Sequence, residues 1–192
     1  MTAFNDMESY ADLRLSATEL SGGKAAAIKL QSAWFDHVGL AETRFSSPRL
    51  VDTRLEHCDL ANADWPAGSY LRLEFLDCRM LGFKTIEGKL RDVLFANCNL
   101  SFAQFRMAEM RSVVFENCLL KEADFYGANL QGTRFQACDL RQADFSGCKL
   151  KDADVRGSQV EALRVSAKDL AGLIVDVMQA AELARLLGVK IR

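Results

Sequence analysis

Large apolar side chains recur at every fifth residue along most of this chain. Of the thirty positions divisible by five between Leu30 and Val175, twenty-nine are apolar, with Thr85 the exception. The central run reads Phe95, Leu100, Phe105, Met110, Phe115, Leu120, Phe125, Leu130, Phe135, Leu140 and Phe145. A buried helix face would repeat every three to four residues and a strand face every two. A period of five belongs instead to a chain that turns a corner once per five residues, each large side chain pointing inward. A second inward slot lies two residues earlier and must be small, because the interior is narrow. In the same region it holds Cys98, Ala103, Ala108, Val113, Cys118, Ala123 and Ala128. The other three residues of each unit point outward.

The units Ala123-Asp-Phe-Tyr-Gly127, Ala128-Asn-Leu-Gln-Gly132, Ala143-Asp-Phe-Ser-Gly147 and Ala153-Asp-Val-Arg-Gly157 resemble the consensus of the pentapeptide-repeat family. The resemblance covers about 30–170, and it implies an all-β solenoid, a right-handed quadrilateral β-helix with four pentapeptides, or twenty residues, per coil. Residues twenty apart should then stack. Phe35, Leu55, Phe75, Phe95, Phe115 and Phe135 make one such column, and Phe45, Trp65, Phe105, Phe125 and Phe145 the opposite one. Leu100, Leu120 and Leu140 fall in one intervening column, Leu90 and Leu130 in the other. Aromatics thus segregate from aliphatics in the way a twenty-residue coil requires. The expected organisation is an N-terminal cap or irregular first coil over 1–25, a β-helix of about seven 20-residue coils over 26–175, and a C-terminal helix with a short tail over 176–192.

Solenoid ends must be covered. After Val175 the period changes to a helical one. Asp176 and Gln179 have capping-box spacing, and Gly188 is placed to end the helix. Val177, Ala180, Ala181, Ala184 and Leu187 lie along one side, with Leu183 widening the apolar stripe. This stripe is wide for a cap alone. The ending Val-Asp-x-x-Gln-Ala…Leu-Gly-x-x-Ile also resembles the C-termini of quinolone-resistance pentapeptide-repeat proteins, a resemblance that implies a capping and dimerisation α-helix and a homodimer. Within the rod, Phe83 is large for its slot and Thr85 polar for its own, which predicts a local bulge over 81–88.

Composition narrows the function classes. The chain has 192 residues and a formal net charge of −2, so no basic surplus advertises direct nucleic-acid binding. No stretch is long and apolar enough to span a bilayer, and the start has neither the basic residues nor the apolar run of a secretion signal. The expected location is the cytoplasm, with no membrane partner. Cys58, Cys78, Cys98, Cys118 and Cys138 are spaced by twenty, Cys148 occupies the equivalent slot on another face, and no C-x-x-C pair occurs. They read as buried, reduced thiols serving as small hydrophobes. His37 and His57, also twenty apart with Asp77 next in the column, read as a solvated ladder, since zinc ligands converge and a straight column does not. No catalytic triad, phosphate loop or carboxylate pair stands out. The expectation is no enzyme, no cofactor and no metal.

Function must then lie in the outward residues. Arg72, Lys89, Arg91, Arg111, Lys149 and Lys151 mark a mildly positive face. Leu76, Leu94 and Val114 on one face, with Leu81, Phe102 and Leu119 on the adjoining one, place apolar residues in outward slots and suggest a protein-binding patch. By resemblance, the partner is DNA gyrase or a topoisomerase, engaged by a DNA-shaped rod that modulates it or protects it from quinolone-type inhibitors. A general protein-interaction scaffold acting through the same patch is the other expectation.

Overall fold

A computed structural model describes residues 3–186 and 188–190. Its organising element is a parallel ladder with a constant offset of twenty residues. The ladder opens with Ser9 paired to Lys29 and closes with Asp154 paired to Ile174. Four eight-residue strands form its regular centre: Arg49–Glu56, Ser69–Leu76, Lys89–Ala96 and Glu109–Glu116. Each pairs with the next in register, as in Phe75 with Phe95 and Phe95 with Phe115. The fold is the all-β solenoid that the pentapeptide-repeat resemblance implies. Ser9–Ala11 and Arg14–Ser16 join the same sheet, and Lys24–Ala26 pairs with Arg44–Ser46 at the same offset in a second one; the coil count differs slightly from the about seven expected over 26–175.

The corner explains which residues the outward slots accept. The last residue of each five sits in the left-handed region of φ, from Asp12 at 52° to Ala162 at 56°. An L-residue is strained there, least so Asn and Asp, and a β-branched one most. Val, Ile and Thr are accordingly absent from these corners, while Asn62, Asn97, Asn117 and several aspartates occupy them. Gly127, Gly132, Gly147 and Gly157 remove the strain altogether. The glycine that closes each of the clearest repeat units is therefore a corner residue.

Inside, the two inward slots are filled in the predicted way. Phe95, Phe105, Phe115, Phe125, Phe135 and Phe145 are buried, as are Leu100, Leu120, Leu130 and Leu140. Phe115 lies parallel to Phe95 and Phe135 at centroid distances of 4.8 and 5.0 Å, and edge-on to Phe105 and Phe125. Offset and edge-on pairs of this kind are the favourable ring arrangements. All six cysteines are free and buried. In the ladder, Cys98 Sγ is 3.3 Å from both the Phe75 and the Ala96 carbonyl oxygens, and each of its four partners repeats that contact pattern. Hydrogen bonding to neighbouring cysteines, then burial, pushes Cys58, Cys98 and Cys138 upward. Burial, with a smaller push from the Asp144, Asp169 and Asp124 carboxylates, raises Cys148 to about 12. All six thiols serve as buried packing groups.

The bulge expected over 81–88 is not formed. Lys84 bridges both Asp64 and Gln104, so the twenty-residue offset runs straight through. The physical reason is an exchange of volume between slots. Phe83 fills space that Thr85 leaves open, and packs edge-on to Trp65 at 5.5 Å. The Thr85 hydroxyl is 3.1 Å from the Tyr70 hydroxyl and 3.2 Å from the Trp65 carbonyl, and Tyr70 donates to that same carbonyl at 3.1 Å. A buried polar trio is thereby satisfied. Tyr70 needs room for its phenol, and Gly68 supplies it: a Cβ there would lie 2.1 Å from the Tyr70 oxygen.

At the C-terminal end, Asp176 and Gln179 form the predicted capping box. The Gln179 amide donates to Asp176 Oδ1 at 2.9 Å, and the Asp176 amide to Gln179 Oε1 at 3.0 Å. The helix Val177–Leu186, called α1, follows. Gln179 also donates from Nε2 to the Val155 and Ser158 carbonyls, at 2.6 and 2.7 Å. The Ser158 carbonyl is the acceptor that a further coil's amide would use, as Gln159 uses that of Cys138, so the side chain closes the ladder there.

Candidate functional site

The surface depressions of this rod are open grooves rather than enclosed cavities. One of about 480 Å³ runs along the corner formed by Asp52, Arg72, Asp92 and Ser112, with Leu94 and Val114 on its floor. Leu94 and Val114 are direct ladder partners, which is why they meet. Its rim charges are engaged. Arg72 reaches Asp52 through Nε at 2.5 Å and Nη2 at 2.8 Å, holding that carboxyl below the usual range. Arg54 pairs with Glu56 and, at 3.3 Å, with Glu74.

The remaining patch residues divide by exposure. Leu76 and Leu81 are half-buried, whereas Phe102 is 50% exposed and Leu119 49%. Two further apolar side chains escaped the sequence reading: Met107, 53% exposed, and Tyr126. Both occupy outward slots on the next face, so the slot-by-slot reading that found Phe102 would have reached them. Arg106 lies over the Tyr126 ring at 4.6 Å and ties to Asp124 at 2.7 Å, fixing the phenol on the surface. Met107 lies against Gly127, where a Cβ would stand 2.5 Å from its sulfur. Phe102 and Met107 are both corner residues, with φ of 61° and 55°. Large apolar side chains at strained, solvent-facing corners serve neither packing nor backbone geometry.

On α1, Leu183 is buried with Gln179 against the solenoid. It faces the core rather than the outer side of the helix, because the i, i+4 spacing of Gln179 and Leu183 sets the inward stripe. Ala181 and Ala184 are half-buried, and Ala180 is exposed. Val177 and Met178 are 84% and 80% exposed, the highest among the described apolar side chains of the helix. Leu187 lies outside the described residues. No helix among the described residues is long and apolar enough to cross a membrane.

His37 and His57 stack in the ladder as expected, with Asp77 at the next equivalent corner. Asp77 accepts a hydrogen bond from Asn97 at 3.0 Å. The carboxylate that faces both imidazoles is Asp36, whose Oδ1 accepts from His37 Nδ1 at 2.8 Å and from His57 Nδ1 at 3.1 Å. The rings stack at 4.6 Å. The hydrogen bond from His57, then that from His37, holds Asp36 below its ordinary range, and the bond to Asp36 raises His57.

Residues 88–165 match the family model described as a pentapeptide repeat region. No curated protein matches the chain. Among solved structures, the chain is similar to HetL, a pentapeptide repeat protein involved in heterocyst differentiation regulation from the cyanobacterium Nostoc sp. strain PCC 7120. The identity is 18%, over 88% of this chain and 90% of that one, with a TM-score of 0.42. It is also similar to trypsin-treated QnrB1, a plasmid-mediated fluoroquinolone resistance protein. There the identity is 23%, over 95% and 99% of the two chains, with a TM-score of 0.39. A pentapeptide repeat protein from the Arabidopsis thaliana thylakoid lumen matches at 18% identity, over 76% and 70%, with a TM-score of 0.35.

Proposed function

We propose that this chain, a solenoid containing a pentapeptide repeat region, acts without catalysis by binding another protein along its outer faces, and that the partner is a DNA gyrase or related topoisomerase. The protein-binding reading is carried by the exposed apolar corner residues Phe102 and Met107, flanked by Leu119 and Tyr126. Such side chains, the most exposed of the apolar residues in outward slots of the central coils, mark a surface meant to be covered. The choice of gyrase is supported by the chain's size, its continuous coils, and the C-terminal ending whose Asp176–Gln179 capping box is formed. The net charge of −2 and the paired arginines argue that shape and apolar contact, rather than a DNA-like charge, would drive such binding.

A supercoiling assay with purified gyrase, with and without a fluoroquinolone, tests this reading. The expected result is altered supercoiling or drug protection that Phe102→Asp combined with Met107→Asp reduces at least tenfold. No effect of the parent protein at stoichiometric excess would retire the gyrase reading. Patch-dependent capture of a protein unrelated to topoisomerases would favour the second reading, a scaffold or regulator using the same residues.

The homodimer is part of the same proposal, with Val177 and Met178 on the uncovered side of α1 as its contact. Sedimentation velocity should show a dimer that Val177→Asp combined with Met178→Asp converts to monomer. A parent protein that sediments as a monomer at micromolar concentration removes the dimer from the proposal.

A further inference from the structure

We infer that Asp36, His37 and His57 form a binding site for a divalent transition-metal ion of the zinc class, which clamps two successive coils together. Asp36 Oδ1 lies 2.8 Å from His37 Nδ1 and 3.1 Å from His57 Nδ1, and the three ligand atoms lie within 4.8 Å of one another. Donors bound to one tetrahedral zinc ion at about 2.0–2.2 Å stand about 3.3–3.6 Å apart. The Asp36 contacts are a few tenths of an ångström shorter than such an edge, and small side-chain rotations that open them also bring the two nitrogens together.

The objection that a column cannot surround an ion holds for His37, His57 and Asp77, but these donors form a triangle. Competing charge is accounted for nearby. Glu56 is bound by Arg54 and by Trp34 Nε1, and Asp77 by Asn97. Asp36 is the carboxylate left facing the imidazoles. In the metal-free protein each Nδ1–H donates to it, and on binding each hydrogen moves to Nε2, leaving neutral ligands at Nδ1. With the histidine side chains 63% and 50% exposed, water can complete the sphere. Two imidazoles and one carboxylate suit zinc, nickel or copper better than calcium or magnesium. The ligands come from coils joined by ladder contacts, including Trp34 with Arg54 and Asp36 with Glu56, so the ion would cross-link neighbours in a structure stabilised coil by coil.

The experiment is calorimetric titration of the untagged full-length protein with zinc chloride, paired with the absorption spectrum of its cobalt(II) complex. One equivalent should bind in the micromolar range and raise the melting temperature. His37→Asn, His57→Asn and Asp36→Asn should each weaken binding tenfold or more, while Asp77→Asn stays within threefold. Asparagine is chosen for the histidine variants because it tolerates the left-handed corner, and unchanged circular dichroism would show that the fold persists. Binding by the His37→Asn, His57→Asn double variant as tight as the parent's would overturn the site. So would a thiolate charge-transfer band in the cobalt spectrum, which would place the ion on cysteine instead.

Discussion

Phe115→Ala should destabilise the protein by about 3–5 kcal/mol, the range for removing a buried aromatic ring. Four rings contact Phe115, two in parallel and two edge-on, and the backbone beneath it is fixed by ladder bonds to both neighbouring coils. The cavity therefore cannot close by a local shift, and the loss should lie at the upper part of that range. Guanidinium chloride unfolding followed by circular dichroism would measure it. Because coils are stabilised mainly by their neighbours, a lesion at mid-rod should also broaden the transition. A loss below about 1 kcal/mol would mean that the interior is not close-packed in the sense of crystalline side-chain contact.

Asn117→Val should cost about 1–3 kcal/mol although the side chain it replaces is exposed. Asn117 sits at φ 51°, where asparagine is tolerated and a β-branched residue is not. Asn117→Gly should remain within about 0.5 kcal/mol of the parent, since glycine accepts the same conformation freely. Glu116→Val supplies the control: it is one residue away, exposed and extended, and valine favours that geometry, so a change within about 0.5 kcal/mol is expected. Equal losses at 116 and 117 would locate the effect in lost polarity rather than in the corner. The same urea or guanidinium midpoints decide between the two.

The period of five was sufficient to place nearly every inward side chain, because a narrow interior allows one large and one small residue per unit. It also foresaw the cap, since Asp176 and Gln179 carry their geometry in their spacing. It failed at 81–88, where each residue was judged against its own slot. Phe83 and Thr85 break the rule singly and satisfy it jointly, and the Tyr70 hydroxyl that completes the arrangement lies fifteen residues from Thr85. The outer surface was less legible for a similar reason. His37 and His57 were read as a vertical file because the ladder aligns them, yet the adjacent Asp36 turns toward both rings. Which outward side chains pair, and which stay uncovered like Met107, depends on lateral reach that spacing alone does not encode.

The constant offset of twenty residues has a consequence for how such a chain can change length. Duplicating or deleting one whole coil leaves every remaining side on its original compass bearing, so a docking surface survives while the rod grows or shrinks. Losing a single unit of five preserves the large-and-small alternation inside, yet turns everything downstream by a quarter revolution. Phe102 and Leu119 would then cease to share a side with their former neighbours, although the interior would remain filled. Hydrophobic patterning thus tolerates a slip that the outer surface does not, and recognition rather than folding would hold the register at multiples of twenty.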